Sequence, residues 1–411
     1  MASPDGRDQE YNSSNPASSK VRNRASNKPS RRTMIFTMIR AAAALVTAAV
    51  LWRTRLLQVF TFIAAAGLRR MRRLPALWRL EMRASEWNSE PLPKPLAMTR
   101  PNLKLLVSYR PEYNSLNPIA IERALAGAAR LNAGWLRTDV RWVRVMPRGD
   151  RVDENALAWY GGFLRRVQSH GFQNLVILST PPDDVMQYDI PRRMDIWAKF
   201  VAACVRELGP YCSGYQLMNE PNNPVFAFFD RRNVAEAIAR GAEAIRSYQP
   251  HASISVNICM EIWAWRSYLE NLLSGSGRSV DIVGLDHYPH TWTVGWQENW
   301  REVNKIGAAI KGASPDSIWF NRRIAIMETG FATNTWLRGE REQSRYFEGL
   351  AKVANDLREA AGEVEFIGLH ELCDWDSSAL LDPEAHFGIM TSDLVPKLAF
   401  SAVQRLAAEL K

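Results

Sequence analysis

The sequence predicts a (β/α)8 TIM barrel, an α/β fold, preceded by a separate N-terminal region. The chain has 411 residues, of which 46% are hydrophobic, and such a barrel needs roughly 250 residues. From residue 103 onward, short β-branched or apolar runs alternate with amphipathic stretches of helical period. This alternation is typical of parallel strands joined by crossover helices. Eight strand segments can be identified, which is the number that closes a barrel.

The eight predicted strands are Lys104–Arg110, Gly134–Arg141, Asn174–Thr180, Gly214–Asn219, Ser253–Cys259, Asp281–Asp286, Arg323–Met327 and Glu365–Leu369. Helical periodicity falls between them, for example over Ile119–Leu131, Met194–Leu208, Asn233–Tyr248, Gln343–Ala361 and Pro396–Leu410. The alternative is an open doubly wound sheet. That fold would require a glycine-rich phosphate loop after an early strand, and the sequence has no GxGxxG motif.

The N-terminal region divides into three predicted segments. Residues 1–33 are rich in Ser, Asn, Pro and Arg and predict a disordered basic tail. Residues 34–83 contain the apolar runs Met34–Trp52 and Leu56–Leu68 with basic flanks, which indicates a hydrophobic helix that anchors the chain in a membrane or acts as a signal. Residues 84–102 contain three closely spaced prolines and predict a linker into the barrel of residues 103–411.

The charge is distributed unevenly and bears on partners and location. The first 100 residues carry 18 basic and 6 acidic side chains, whereas the remaining 311 carry 34 basic and 37 acidic ones. The barrel therefore has no basic excess to suggest nucleic acid binding, and the basic flanks of the apolar runs indicate a membrane surface. We expect a membrane-anchored barrel in the periplasm or outside the cell. A cleaved signal, or an amphipathic helix holding the barrel on the cytoplasmic membrane surface, is the alternative.

The cysteines give no sign of a metal site. Cys204, Cys212, Cys259 and Cys373 form no CxxC or Cys/His ligand pattern, so we expect no zinc. They are interpreted as buried free thiols, with a Cys204–Cys212 disulfide as the alternative.

Two glutamates stand where the chemistry of a barrel is expected. Glu220 follows the apolar run of the fourth predicted strand, and Glu328 follows that of the seventh. Catalytic groups of (β/α)8 barrels gather at the carboxyl-terminal ends of the strands. Retaining glycosidases need two such carboxyl groups, one to protonate the leaving oxygen and one to attack the anomeric carbon. Glu261, just after the fifth strand, is an alternative carboxylate.

These segments resemble the glycoside hydrolases of clan A. Asn219-Glu220-Pro221 is similar to that clan's acid/base motif at strand four, and Glu328-Thr329-Gly330 is similar to its nucleophile motif at strand seven. The resemblance implies that Glu220 is the acid/base and Glu328 the nucleophile. It also implies that Asn219 hydrogen-bonds the 2-hydroxyl group of the sugar. In style the motifs are most similar to those of families 39, 5 and 53.

The same resemblance suggests further site residues. An arginine near the end of strand two contacts the nucleophile in clan members, which indicates Arg137, with Arg141 as the competitor. A tyrosine at the end of strand six hydrogen-bonds the nucleophile, which indicates Tyr288. His287 and Trp292 share this strand end and are expected to line a sugar site. Many members use a strand-eight tryptophan as a sugar platform, which makes Trp375 the candidate.

The function predicted is hydrolysis of a β-linked oligo- or polysaccharide with retention of configuration. This chemistry requires no cofactor or metal. Two alternatives remain open. One is a transglycosylase that remodels an exported polysaccharide and shares every catalytic residue. The other is a non-catalytic, membrane-anchored carbohydrate-binding barrel.

Overall fold

The computed structural model describes residues 104–410, except residues 115, 150, 290, 292–298, 334–337 and 380–381. The predicted basic tail, hydrophobic helix and linker lie outside the described residues, and so does Trp292. Within the described part of the chain, no helix is long and apolar enough to cross a membrane.

Eight parallel strands close into a barrel in sequential order, with β1 paired to β8. This confirms the predicted (β/α)8 architecture. The strands are β1 Lys104–Ser108, β2 Trp135–Arg141, β3 Gln173–Ser179, β4 Gly214–Leu217, β5 Ser253–Cys259, β6 Ile282–Asp286, β7 Arg323–Thr329 and β8 Val364–Leu369.

Each strand is followed by at least one helix. The helices are α1 Pro111–Asn114, α2 Pro118–Ala129, α3 Trp142–Val145, α4 Glu154–Ser169, α5 Ile190–Leu208, α6 Val234–Tyr248, α7 Trp265–Gly275, α8 Trp300–Lys311, α9 Glu340–Ala361 and α10 Leu398–Glu409. The side chains of Asn117, Asp153 and Asp189 accept hydrogen bonds from the first-turn amides of α2, α4 and α5. These caps satisfy amide groups that have no partner inside the helix.

Two layers of apolar side chains support the barrel. The larger layer lies between the strands and the surrounding helices. The smaller one consists of Leu106, Trp135, Leu175, Ile282, Ala325, Met327 and Phe366, which come from six strands and pack together. Because successive strand residues point to opposite faces, these side chains fill the barrel interior. Polar residues further along the same strands therefore point toward the open end.

Backbone irregularities shape that open end. Strand β4 ends at Leu217, two residues before the predicted end, because Met218 and Glu220 adopt left-handed φ angles of 65° and 40°. The register between β6 and β7 shifts so that Asp286 pairs with Glu328. Gly330, the residue after β7, packs closely against the chain at the end of β8. A Cβ atom at this position would lie 2.1 Å from the carbonyl oxygen of His370.

All four cysteines are free thiols. The Sγ atom of Cys212 donates to the carbonyl oxygen of Leu208 at 3.2 Å, so the alternative Cys204–Cys212 disulfide is not formed.

Candidate active site

Charged side chains from most strand ends meet in one cleft at the carboxyl-terminal end of the barrel. The cleft encloses about 810 Å³, including the space at its open mouth. The charged residues of its wall are Arg110, Arg137, Asp139, Glu220, Glu261, Glu328 and Glu384. Both predicted catalytic glutamates and Asn219 line this cleft, as does the hydroxyphenyl ring of Tyr288.

Glu220 lies in an environment that favours its protonated form. Its side chain is buried, and its Oε2 atom accepts a hydrogen bond from Asn223 Nδ2 at 2.7 Å. Burial, followed by the nearby negative charge of Glu328, raises the pKa of Glu220 to about 8. The strained left-handed backbone at this residue is fixed because its amide donates to Asn257 Oδ1 at 2.8 Å.

Glu328 lies in an environment that favours its ionised form. Its Oε1 atom lies 2.6 Å from Arg137 Nη2, and the hydroxyl group of Tyr288 donates to Oε2. Burial alone would raise the pKa of Glu328, but Arg137 and the other groups around it lower that pKa to about 2. Two carboxyl groups in one cleft thus have pKa values displaced in opposite directions, which is typical of an acid and a nucleophile.

The two carboxyl groups lie close together, and a third carboxyl group lies beside them. One oxygen atom each from Glu220, Glu328 and Asp286 all lie within 4.8 Å of one another. Asp286 was not identified from the sequence. Carboxylate clusters of this kind can hold a cation, but here Arg137 already compensates Glu328, and Asn257 already donates to Asp286. The three carboxyl groups therefore belong to a hydrogen-bonded cluster whose positive charge is the guanidinium of Arg137.

Arg137 and Arg141, the two competing arginines of β2, have different surroundings. Arg137 is 2% exposed and contacts Glu328, and it also donates to Gln216 Oε1 at 2.8 Å and Asn219 Oδ1 at 3.1 Å. Arg141 instead contacts Glu112 at 3.2 Å. Of the pair, Arg137 is the one brought to the candidate nucleophile.

Asn257, on β5, connects most of these groups and was missed by the sequence reasoning. Its Oδ1 atom accepts from Gln216 Nε2 at 2.7 Å as well as from the amide of Glu220. Its Nδ2 atom donates to Asn219 Oδ1 at 3.0 Å and lies 3.4 Å from Glu328 Oε1. Because Nδ2 also donates to Asp286 on β6, this amide connects the ends of four strands, β4 to β7. The signal was present in the sequence, since an asparagine inside an apolar strand needs buried partners.

His287 lies behind the cleft wall, where it holds Glu261. Its ring is buried, and its Nε2 atom accepts from the amide of Asn299 at 2.9 Å. The ring proton is therefore on Nδ1, which donates to Glu261 Oε1 at 2.8 Å. Glu261 also accepts from the amide of Tyr288 at 2.8 Å. This alternative carboxylate is thus anchored to the wall that carries Tyr288.

His370, rather than a tryptophan, stands at the end of β8 and lines the cleft. Its Nε2 atom accepts from Arg110 Nη2 at 3.1 Å, which leaves the proton on Nδ1, 3.6 Å from Glu328 Oε2. Burial and the nearby Arg110 lower the pKa of His370 to about 3, so the ring is neutral at neutral pH.

Trp375, the predicted sugar platform, packs against Tyr113 and Arg110. Its ring stacks on Tyr113 with 4.8 Å between centroids, and the guanidinium of Arg110 lies 4.6 Å from its centroid. It is not among the residues that line the cleft. Five residues separate Trp375 from the end of β8, and Arg110, which contacts the Trp375 ring, itself lines the cleft.

Comparisons with known proteins agree on the fold. No family model and no curated protein sequence matches the chain. Among solved structures, an exo-β-1,4-mannosidase from Opitutaceae bacterium strain TAV5 aligns with 15% identity and a TM-score of 0.57, over 74% of this chain and 59% of its own. A family 39 glycoside hydrolase from Bacteroides cellulosilyticus WH2 aligns with 16% identity and a TM-score of 0.55, over 75% and 64%. A family 1 β-glucosidase from Thermotoga maritima aligns with 12% identity and a TM-score of 0.59, over 76% and 99%.

The chain therefore spans less than two thirds of the first two of these proteins and nearly all of the third. At such identities the likeness is one of fold. The resemblance to the (β/α)8 barrels of clan A glycoside hydrolases, which the motifs predicted, is confirmed at that level.

Proposed function

We propose that this protein is a retaining glycoside hydrolase that cleaves a β-linked oligo- or polysaccharide. One observation carries the proposal: Glu220 and Glu328 have carboxyl oxygens within 4.8 Å of each other and pKa values of about 8 and about 2. Retaining enzymes have carboxyl groups about 5–5.5 Å apart, whereas inverting enzymes leave about 6.5–9.5 Å for a water molecule. The short separation favours retention.

In the first step, the Glu328 carboxylate attacks the anomeric carbon of the sugar. The bond from that carbon to the leaving oxygen breaks, and the oxygen takes the proton of Glu220. The product is a glycosyl ester on Glu328 and an ionised Glu220. Arg137 and Tyr288 hold the two oxygen atoms of Glu328 and thereby fix the direction of attack.

In the second step, Glu220 takes a proton from a water molecule whose oxygen attacks the anomeric carbon. The ester bond breaks and Glu328 leaves as a carboxylate. Two inversions at the same carbon give net retention. A sugar hydroxyl attacking in place of water would make the same site a transglycosylase, so both activities use one set of residues.

The test is the configuration of the first product. The full chain is incubated with a panel of aryl β-glycosides, and the released sugar is followed by proton NMR before mutarotation. We expect the β-anomer to form first. Initial release of the α-anomer would show inversion, and lack of turnover on aryl glycosides and on purified polysaccharides alike would favour a binding role.

The pH profile gives a second expectation. Activity requires an ionised Glu328 and a protonated Glu220, so kcat/KM should fall below pH about 2 and above pH about 8. Because the acid limb lies where barrels commonly unfold, the alkaline limb is the useful one. It is measured with an aryl glycoside whose phenol has a pKa well above 8, so that the departing oxygen needs the proton of Glu220. An alkaline limb near pH 5 would contradict the assignment of Glu220.

The cleft also carries apolar side chains that suit a sugar. Phe226, after β4, and Ile262, after β5, line the cleft. Phe226 is 39% exposed, and Trp263, the residue after Ile262 in the sequence, is 74% exposed. Aromatic rings in such positions stack on the apolar faces of pyranose rings. We infer that the sugars of an oligosaccharide substrate contact these side chains.

Replacing the exposed indole tests this inference. Trp263→Ala should raise KM for oligosaccharides by about tenfold, the effect of about 1.4 kcal/mol of lost stacking, while leaving kcat/KM on a small aryl glycoside unchanged. Tyr248→Ala, which removes a 49% exposed ring from the last turn of α6, is the matched control. Equal KM values for both variants and the parent would rule out a platform at Trp263.

We also propose that residues 34–83 anchor the barrel to a membrane, with the barrel in the periplasm or outside the cell. The apolar runs and their basic flanks support this. The test is protease accessibility in intact cells and in cells whose outer membrane alone has been permeabilised. Protection of the barrel in both, until the inner membrane is lysed, would argue for a cytoplasmic location.

A further inference from the structure

A third carboxyl group, that of Asp286, lies behind the two glutamates and takes no part in the steps above. It ends β6 directly opposite Glu328 in the strand register, and none of its side chain is exposed. Its Oδ2 atom accepts a hydrogen bond from Asn257 Nδ2. Its Oδ1 atom has no hydrogen-bond donor among the described residues. A buried carboxylate oxygen without a donor is costly, so this geometry calls for a proton on the group itself.

The charges around Asp286 lead to the same conclusion. The titratable or charged groups that face it are Glu220 after β4, Arg137 on β2, Cys259 on β5, Tyr288 after β6 and Glu328 on β7. Among these, the one cation is Arg137, and it already contacts Glu328 at 2.6 Å. Three buried carboxyl groups with one guanidinium cannot all be ionised. Burial, followed by repulsion from Glu328 and Glu220, raises the pKa of Asp286 well above its usual range.

The position of Asp286 indicates which group its proton serves. An oxygen atom of Asp286 lies within 4.8 Å of one of Glu220, and the two side chains form a hydrogen bond. Because a carboxylate has no donor, this hydrogen bond requires that one of the two groups is protonated. When Glu220 gives its proton to a leaving oxygen, it becomes a buried carboxylate. A neutral Asp286 beside it can then donate to that carboxylate and stabilise it.

Resting on the proposed function, we propose that Asp286 is a positioning residue that stays protonated and donates a hydrogen bond to Glu220, making Glu220 a stronger acid. No proton leaves Asp286 in this scheme, so the balance of the two chemical steps is unchanged. Its contribution is to lower the free energy of ionised Glu220 between them. The site therefore works with three carboxyl groups in three distinct states: an ionised nucleophile, an acid/base that cycles, and a permanently neutral donor.

The direction in which the alkaline limb of kcat/KM moves tests the proposal. A neutral donor lowers the pKa of Glu220, so Asp286→Ala should move the limb upward by about one pH unit, a tenfold change in the dissociation constant of the acid. Asp286→Asn should leave the limb within a few tenths of a unit of the parent, because an amide can also donate. An ionised Asp286 would act oppositely by repulsion, so a downward shift in both variants would overturn the proposal. An unmoved limb in Asp286→Ala would also overturn it.

Leaving-group dependence provides a second reading of the same variants. A weaker acid harms substrates that need protonation, so Asp286→Ala should lose about tenfold more kcat/KM on an unactivated disaccharide than on an activated aryl glycoside. Asp195→Ala, which removes an exposed aspartate on α5, is the matched control. Equal losses on the two substrates would assign Asp286 a merely structural role.

Infrared spectroscopy separates failure of this inference from failure of the proposed function, because it needs no turnover. The full chain and its Asp286→Asn variant are compared at pH 7 for the carbonyl band of a protonated carboxylic acid. We expect the variant to lose one such band. This reading also applies if Asp286→Ala does not fold. An unchanged acid band would overturn the inference while leaving Glu220 and Glu328 to be judged by their own variants.

Discussion

Replacing Glu328 with alanine should abolish turnover of a β-glycoside, with kcat reduced on the order of 10⁴-fold or more. The reason is that the variant lacks the carboxylate that attacks the anomeric carbon, and the two carboxyl groups beside it favour their protonated forms. Asp286 and Glu220 both have raised pKa values. Arg137 would also lose its partner in a buried position, which adds a cost in stability. The measurement is steady-state hydrolysis of an activated aryl β-glycoside, together with a thermal melt to establish that the variant is folded.

Azide makes this result specific to a nucleophile. The small anion can enter the space left by the Glu328 carboxyl group and attack the anomeric carbon from the same face. The product would be an α-glycosyl azide, inverted relative to the substrate. Recovery of turnover with this product is the expected outcome. Full activity of Glu328→Ala without azide would disprove the assignment.

Glu365 supplies a matched control on the neighbouring strand. It is a buried glutamate at the start of β8, where it forms ion pairs with Lys104 and with Arg323 at the opposite end of the barrel from the cleft. Glu365→Gln therefore disturbs a buried ion pair without touching the site. We expect a lower melting temperature with kcat/KM unchanged at a temperature where the variant is folded.

The barrel and its two glutamates could be predicted because the signals are local. Each strand is a short apolar run, and Glu220 and Glu328 stand where two of those runs end. Arg137 and Tyr288 followed from motif resemblance, and the structure brings both to Glu328. The alternation of strand side chains could not decide whether Arg137 or Arg141 contacts Glu328, because both lie on the same face of β2. The separation depends on how far along the strand each lies, and Arg141 reaches Glu112 instead.

The interior partners could not be predicted because they depend on pairing between distant strands. Asn257 and Asp286 each lie in a run of apolar residues, and a register shift between β6 and β7 brings Asp286 beside Glu328. Such a shift has no local signature. The surroundings of Trp375 could not be predicted for a related reason. The path of the chain after β8 was unknown, and it gives the strand-end position to His370 while Trp375 stacks on Tyr113.

Glu220→Ala should distinguish the acid/base from the nucleophile through its dependence on the leaving group. General acid catalysis contributes about 10²–10⁴-fold, so kcat/KM for an unactivated disaccharide should fall by about 10³-fold. An aryl glycoside with a strongly acidic phenol needs no protonation, and its kcat/KM should fall far less. Its kcat should still drop, because water then attacks the glycosyl ester on Glu328 without a base. The alkaline limb near pH 8 should disappear from the profile.

The matched control is Glu261→Ala, because Glu261 is another carboxylate that lines the cleft. Its Oε1 atom accepts hydrogen bonds from His287 and from the amide of Tyr288. A leaving-group dependence in Glu261→Ala and its absence in Glu220→Ala would transfer the acid role to Glu261.

Azide again decides the role, with the opposite stereochemistry. In Glu220→Ala the nucleophile is intact, so the glycosyl ester forms on Glu328 and azide attacks it from the other face in place of activated water. The product should be a β-glycosyl azide, whereas Glu328→Ala should give the α-glycosyl azide. Two variants of one cleft that yield opposite anomers with the same anion would require two carboxyl groups on opposite faces of one sugar ring. If both variants gave the same anomer, the division of roles between Glu220 and Glu328 would be wrong.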